Sequence, residues 1–213
     1  MTRRVALIHA LRHSPAPIEA AFAQVWPQAR LMNLLDDSLS ADLARAGALD
    51  EAMTVRFLTL GRYAVRTGAD AILFTCSAFG PCIEAVKADN PSIPVLKPNE
   101  AMIEEAAALG DGARVALLAT FAPTLDTMPA EFPAFLAVKP CFIPGAMAAL
   151  DRGDVAEHDR LAAETARDLA PCEAVALAQF SLARAAPAIA AATGRGVLTT
   201  PHSAVKKLRA LLR

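Results

Sequence analysis

One cysteine stands where a thiol can do chemistry. In Ala69-Asp70-Ala71-Ile72-Leu73-Phe74-Thr75-Cys76-Ser77-Ala78-Phe79-Gly80, the apolar run Ala71 to Phe74 reads as a buried strand. It stops at three small polar residues, Thr75, Cys76 and Ser77, and a helical pattern resumes with Phe79, Ile83 and Val86. In an open parallel sheet, ligands bind at the carboxyl ends of strands. A thiol at the first turn of a helix also meets the helix's positive end, which favours the thiolate. Cys76 is therefore the expected working group of an enzyme.

The other chemistry-bearing residues are weaker candidates. Cys82, Cys141 and Cys172 show no CxxC spacing, so neither a metal site nor a redox pair is expected. Cys82 lies two turns into the following helix and reads as core, and Cys141 and Cys172 flank strands. His202, after Pro201 at the last strand end, is placed to polarise a substrate or hold the Cys76 thiolate. His9 ends the first strand and is a lesser candidate. His13 and His158 read as surface or loop. Lys97 and Glu100 are either lining residues of a cleft or a structural pair. Asn33 and Ser38 lie near the end of the second strand, whereas Asp36 and Asp37 read as a solvated turn.

The positioning elements follow from periodicity. Of the 213 residues, 54% are hydrophobic and 20% charged, with net charge −1, enough apolar content for a large core and no basic patch for nucleic acid. No apolar run approaches the roughly 18 residues of a membrane span, and a cytoplasmic protein is expected. Strands are expected at Val5 to His9, Arg30 to Leu34, Ala71 to Phe74 and Pro94 to Leu96, with helices between them. The pattern then begins again. Arg114-Val115-Ala116-Leu117-Leu118 echoes Arg4-Val5-Ala6-Leu7-Ile8, and Ala174 to Gln179 echoes Ala71 to Cys76. Val197-Leu198-Thr199-Thr200-Pro201 echoes Val95-Leu96-Lys97-Pro98. Three echoes in one order indicate a duplication. The expected fold is α/β: two similar lobes, each a four-stranded parallel sheet flanked by helices, related by a pseudo-twofold axis with the active site between them. The first lobe is expected over 1–97 and the second over 98–200. A helix over about 201–213 carries Val205, Leu208 and Leu212 for packing back on the first lobe.

The Thr75-Cys76-Ser77 junction, the duplicated halves and the length resemble the aspartate/glutamate/hydantoin racemase superfamily, which also holds arylmalonate decarboxylase and maleate isomerase. The phrases Asn33 to Leu39, Val95 to Met102 and Leu177-Ala178-Gln179-Phe180-Ser181 look like those of a poorly characterised branch. The resemblance implies a mechanism without cofactors, a small carboxylate substrate and a homodimer. It also implies one cysteine per lobe, one taking the α-proton and the other delivering a proton to the opposite face. Cys76 matches the first position. The repeat puts Gln179 at the second, and an amide is neither acid nor base near neutral pH. Arylmalonate decarboxylase also works with a single thiol, although that thiol resembles the second position.

Chemistry at a carbon next to a carboxylate needs a proton donor or acceptor and preorganised donors for the developing enediolate. Cys76 fills the first role. Candidate substrate-binding donors are the hydroxyls and backbone N–H groups of Thr75, Ser77 and Ala78, with Thr120, Gln179 and Ser181 from the second lobe. Helix capping is the bland alternative for Thr75, Ser77 and Ser181. Phe121 stands where some relatives carry a tyrosine, and can only shape the pocket. Three functions compete: proton transfer by Cys76 in a racemase, isomerase or decarboxylase; nucleophilic attack by Cys76 in an isomerase of maleate type; and non-catalytic binding of a small carboxylate.

Overall fold

The computed structural model describes residues 2–213. The chain divides into two compact units, one formed by residues up to Glu100 together with Ala204–Arg213, the other by Ala101–Ser203.

In the first unit the elements run β1 (Arg4–His9), α1 (Pro15–Val25), β2 (Arg30–Leu35), α2 (Ser38–Ala46), α3 (Glu51–Arg66), β3 (Ala71–Phe74), a 3-10 turn (Ser77–Phe79), α4 (Gly80–Asp89) and β4 (Val95–Leu96). The four strands form a parallel sheet in the order β2-β1-β3-β4. Its central strands are uninterrupted apolar runs because helices cover both faces. Val5, Ala6, Leu7, Ala71, Ile72 and Leu73 have no exposed surface. The edge strand β2 is only partly covered. Asp50 starts α3 by accepting the Met53 N–H at 2.7 Å. From there Met53, Phe57, Gly61 and Ala64 recur at helical spacing and face the core.

Helix α5 (Glu100–Ala107) opens the second unit. After it come β5 (Arg114–Ala119), α6 (Ala122–Thr127), β6 (Ala137–Phe142), α7 (Ala146–Asp151), α8 (Val155–Arg167), β7 (Ala174–Leu177), α9 (Ala186–Thr193) and β8 (Gly196–Thr199). Here too the sheet is all-parallel, in the order β6-β5-β7-β8. Each strand of one unit thus has a counterpart at the same place in the other. Helix α10 (Thr200–Leu211) ends the chain. Its Val205 and Leu208 are buried, and Arg3 and Arg209 donate to Leu212 and Val25 carbonyls at 3.0 and 2.8 Å within the first unit. No helix among the described residues is long and apolar enough to cross a membrane.

The structure corrects four readings of the sequence. Helix α2 follows the polar turn at Asp36 to Ser38; it is short, and its apolar stripe is only buried Leu39 and partly buried Leu43, two residues to read. Asp36 is not merely solvated, since its carboxylate pairs with Arg56 at 2.6 Å and accepts from Ser38, contacts that hold it below the usual carboxylate range against the opposing effect of burial. Cys141 lies inside β6 rather than beside it. His158 is fully buried in α8, not on the surface. Its charged neighbours suggest exposure, but it shares a helix face with buried Ala162 and Ala166.

Candidate functional site

The carboxyl end of β3 delivers Cys76 to the surface half-buried. The backbone N–H of Ala78 and the Ser40 hydroxyl near its sulfur both favour the anion. Burial outweighs them and pushes the thiol up. Burial thus works against the thiolate that the helix end is expected to favour. The element after the sulfur is a single 3-10 turn, and one N–H does not offset the apolar wall behind it. Phe57 packs on Phe74 and Phe79 with ring centroids 5.3 and 4.9 Å apart. These rings and Leu39 line a hollow behind the sulfur that is too narrow for a water molecule. The hollow is packing, not room for substrate. Ser40 escaped the sequence reading because it sits on α2; its hydroxyl also lies 3.2 Å from the Ala10 carbonyl.

His9 has no exposed surface, yet both ring nitrogens have partners: Nδ1 lies 2.9 Å from Thr75 Oγ1 and Nε2 2.9 Å from Asn33 Oδ1. Asn33 Nδ2 donates to Glu19 at 2.6 Å. A carboxylate only accepts, so the Asn33 amide nitrogen faces Glu19 and its oxygen faces His9. His9 Nε2 must then carry a proton, and Nδ1 accepts from the Thr75 hydroxyl. Burial lowers the His9 pKa, which keeps the ring neutral in this tautomer. The Thr75 N–H continues the ladder to Ile8 O at 3.1 Å. Thr75 and Asn33, expected to contact substrate, thus have their polar groups engaged within the protein.

In the second unit the register fixes the counterparts. Phe74 pairs with Ile8, and Leu177 pairs with Leu118 at the same level of the other sheet. Gln179 therefore occupies the place of Cys76, and Thr120 the place of Ala10. The Thr120 N–H and hydroxyl both donate to Gln179 Oε1, at 2.7 and 2.9 Å. This fixes the amide so that its NH2 is the free end; among the described residues that NH2 has no partner. Phe121 is exposed beside Thr120. Ser77 and Ser181 are half-buried, cap no helix, and their hydroxyls have no partner among the described residues. Ala78 is exposed, but its N–H serves Cys76. His202 sits in the first turn of α10 with Nδ1 2.9 Å from the Thr199 hydroxyl.

The structure thus gathers Cys76, Thr75, Ser77, Ala78 and Asn33 at the strand ends of the first sheet. Thr120, Phe121, Gln179 and Ser181 gather at those of the second. Lys97 and Glu100 form structural pairs, Lys97 with Glu84 at 2.8 Å and Glu100 with Lys207 at 3.1 Å. Among the described residues no His, Cys, Asp and Glu group is arranged to hold a metal ion.

The glutamate racemase of Francisella tularensis, solved with D-glutamate, superposes with a TM-score of 0.71 at 16% identity, over 99% of this chain and 81% of that one. The allantoin racemase of Klebsiella pneumoniae gives 0.67 at 19% identity, over 99% and 88%. A Gly74Cys variant of arylmalonate decarboxylase gives 0.63 at 17% identity, over 98% and 92%. At these identities the likeness establishes the fold. No curated protein matches the chain in sequence. Asp/Glu/Hydantoin racemase is the family that matches residues 15–126, more than half of the chain and including β3, Cys76 and Thr120. By that match this protein belongs to the Asp/Glu/Hydantoin racemase family, whose paired parallel sheets it carries.

Proposed function

We propose that the protein is a cofactor-independent enzyme in which the Cys76 thiol delivers a proton to a carbon next to a carboxylate. The observation that carries this reading is the unequal pair of strand ends, a thiol at Cys76 and an amide at Gln179. Two-base racemisation needs a titrating group at both. Burial keeps Cys76 protonated at rest, which suits an acid better than a resting base or nucleophile.

One-thiol chemistry of decarboxylase type fits these groups. Loss of CO2 from a substituted malonate breaks the bond between the carboxyl and the α-carbon, and the electron pair stays as an enediolate. The S–H bond then breaks, its proton forms the new C–H bond, and the thiolate regains a proton from solvent. The Ala78 N–H and the Ser40 hydroxyl hold the sulfur while it is anionic. The Ser77 hydroxyl, which has no partner among the described residues, is the donor proposed beside Cys76 for the substrate's carboxylate.

Incubating substituted malonates with the protein in D2O tests this. The expected product carries one deuterium at the α-carbon with a single handedness, and Cys76→Ser loses the reaction. Turnover by Cys76→Ser within about tenfold of the parent would remove Cys76 from the chemistry, since loss of an essential proton donor costs at least about 100-fold.

A further inference from the structure

We infer that His9 is the positioning residue of the Cys76 site, holding the carboxyl end of β3 in place through Thr75. The inference rests on the reading of Cys76 as the proton-transfer group. His9 is the last residue of β1, the strand between β2 and β3. Its ring reaches sideways both ways, to Asn33 on β2 and to Thr75, the residue before Cys76. Its own carbonyl accepts the Asp36 N–H at 3.0 Å, where the chain leaves β2. One buried side chain thus ties three strand ends together, and the hydrogen bonds along Glu19, Asn33 and His9 run in one direction, while the Thr75 hydroxyl at Nδ1 also lies 3.4 Å from the Ile8 carbonyl.

The second unit supplies an internal control. It has the same strand order and the same register, so it has the same mechanical need for strand-end closure. There the counterparts of His9, Asn33 and Thr75 are Ala119, Pro140 and Ala178. There the ends of β5 and β7 are joined one residue further on, by Thr120 and Gln179, and no buried imidazole ties in β6. A buried imidazole with two obligatory partners is costly to keep unless both are supplied. The protein keeps it only on the sheet that carries the cysteine. What the clamp fixes is the backbone at Thr75 and Cys76, and with it the approach of the Ala78 N–H and the Ser40 hydroxyl to the sulfur.

The test uses Thr75→Val, which keeps shape and removes the hydroxyl, and Asn33→Ala, which alters an exposed residue and is expected to fold. Two readouts are taken on the full chain: the pH dependence of Cys76 alkylation by iodoacetamide, followed by mass spectrometry, and kcat and KM on any malonate found to turn over. The expected result is a Cys76 titration displaced by about half a pH unit or more as the sulfur loses its fixed donors. A fall in kcat of roughly 10- to 100-fold, with KM little changed, is the matching kinetic result. Folded variants whose Cys76 titration and kcat both match the parent overturn the inference. The alkylation readout needs no turnover, so it judges the clamp even if Cys76→Ser refutes the proposed reaction.

Discussion

Gly61 on α3 packs directly against Val86 of α4, the helix that follows Cys76. A Cβ built there would lie 2.5 Å from Val86 Cγ1, well inside contact distance. Val86 is β-branched and has no exposed surface, so it cannot swing away. Gly61→Ala therefore overpacks the α3–α4 seam, at a cost of about 1–3 kcal/mol. Against this, alanine gains about 1 kcal/mol of helix propensity over glycine. The net expectation is a destabilisation of about 0–2 kcal/mol. With Val86→Ala already in place the clash is gone, and the same Gly61→Ala exchange stabilises by about 1 kcal/mol. The two effects differ by roughly 1–3 kcal/mol, and a double-mutant cycle in urea measures that difference. Trp26 is the only tryptophan, is 8% exposed and belongs to the first unit, so its fluorescence reports that unit's unfolding. Because α4 begins at Gly80, directly after the 3-10 turn that follows Cys76, the alkylation rate of Cys76 changes in Gly61→Ala and returns toward the parent in the double variant. Equal effects of Gly61→Ala in the two backgrounds would refute the argument that α4 is set by this contact.

Three further outcomes are expected. Thr120→Val removes one of the two donors on Gln179 Oε1 and keeps the backbone N–H, so the amide is held less firmly and KM for a carboxylate rises by up to about tenfold, the equivalent of ~1.5 kcal/mol for a hydrogen bond to a charged group; an unchanged KM shows that the Thr120 hydroxyl does not serve binding. Burial depresses the His9 pKa, so between its ordinary value of 6.5 and the lower folded value the unfolded chain binds a proton that the native one does not. Stability of the first unit accordingly falls as pH drops below 6.5, and His9→Phe flattens that slope in denaturant titrations at successive pH values. Glu173, held by Arg114 to about 2, contributes stability that is present above its ordinary value of 4.5 and lost as pH falls from there toward 2; in Glu173→Gln that acid loss in the second unit is smaller.

The strands and the duplication were legible because buried parallel strands write themselves as continuous apolar runs, and two copies of the same run are easy to match. Gln179 as the counterpart of Cys76 came from that match alone. What was not legible depended on residues brought together across the sheet. His9 and Asn33 are 24 positions apart and meet only because β1 and β2 pair with Leu7 opposite Asn33. A signal existed, namely one amide among Leu31, Met32, Leu34 and Leu35, and an imidazole closing Val5 to Ile8. Nothing local said that the two face each other. Ser40 was hidden for another reason: α2 is short, its apolar stripe is only Leu39 and Leu43, and ion pairs from Arg45 and Arg56 to Asp42 hold the rest. The state of the thiol also could not be read from position, because a strand-to-helix junction fixes the N–H groups near a sulfur but not the phenylalanines behind it.

The divergence of the two strand ends argues about function more directly than the likeness of the two sheets does. Duplicated units under the same mechanical demands keep the features that serve folding, and here they keep strand order, register and apolar strands. They differ where the first has Cys76 backed by His9, Thr75 and Ser40, and the second has Gln179 gripped by Thr120. Each arrangement surrounds one polar side chain, a thiol able to give a proton or an amide whose NH2 can only donate hydrogen bonds. Proton delivery by one thiol needs only the first of these. Gln179→Glu separates this from two-base chemistry. It supplies a titrating group but puts a second oxygen where the NH2 was, so a one-thiol enzyme loses carboxylate binding. A protein whose second strand end takes part in proton transfer would instead gain exchange of the α-proton on a chiral acid, seen as deuterium wash-in with loss of handedness.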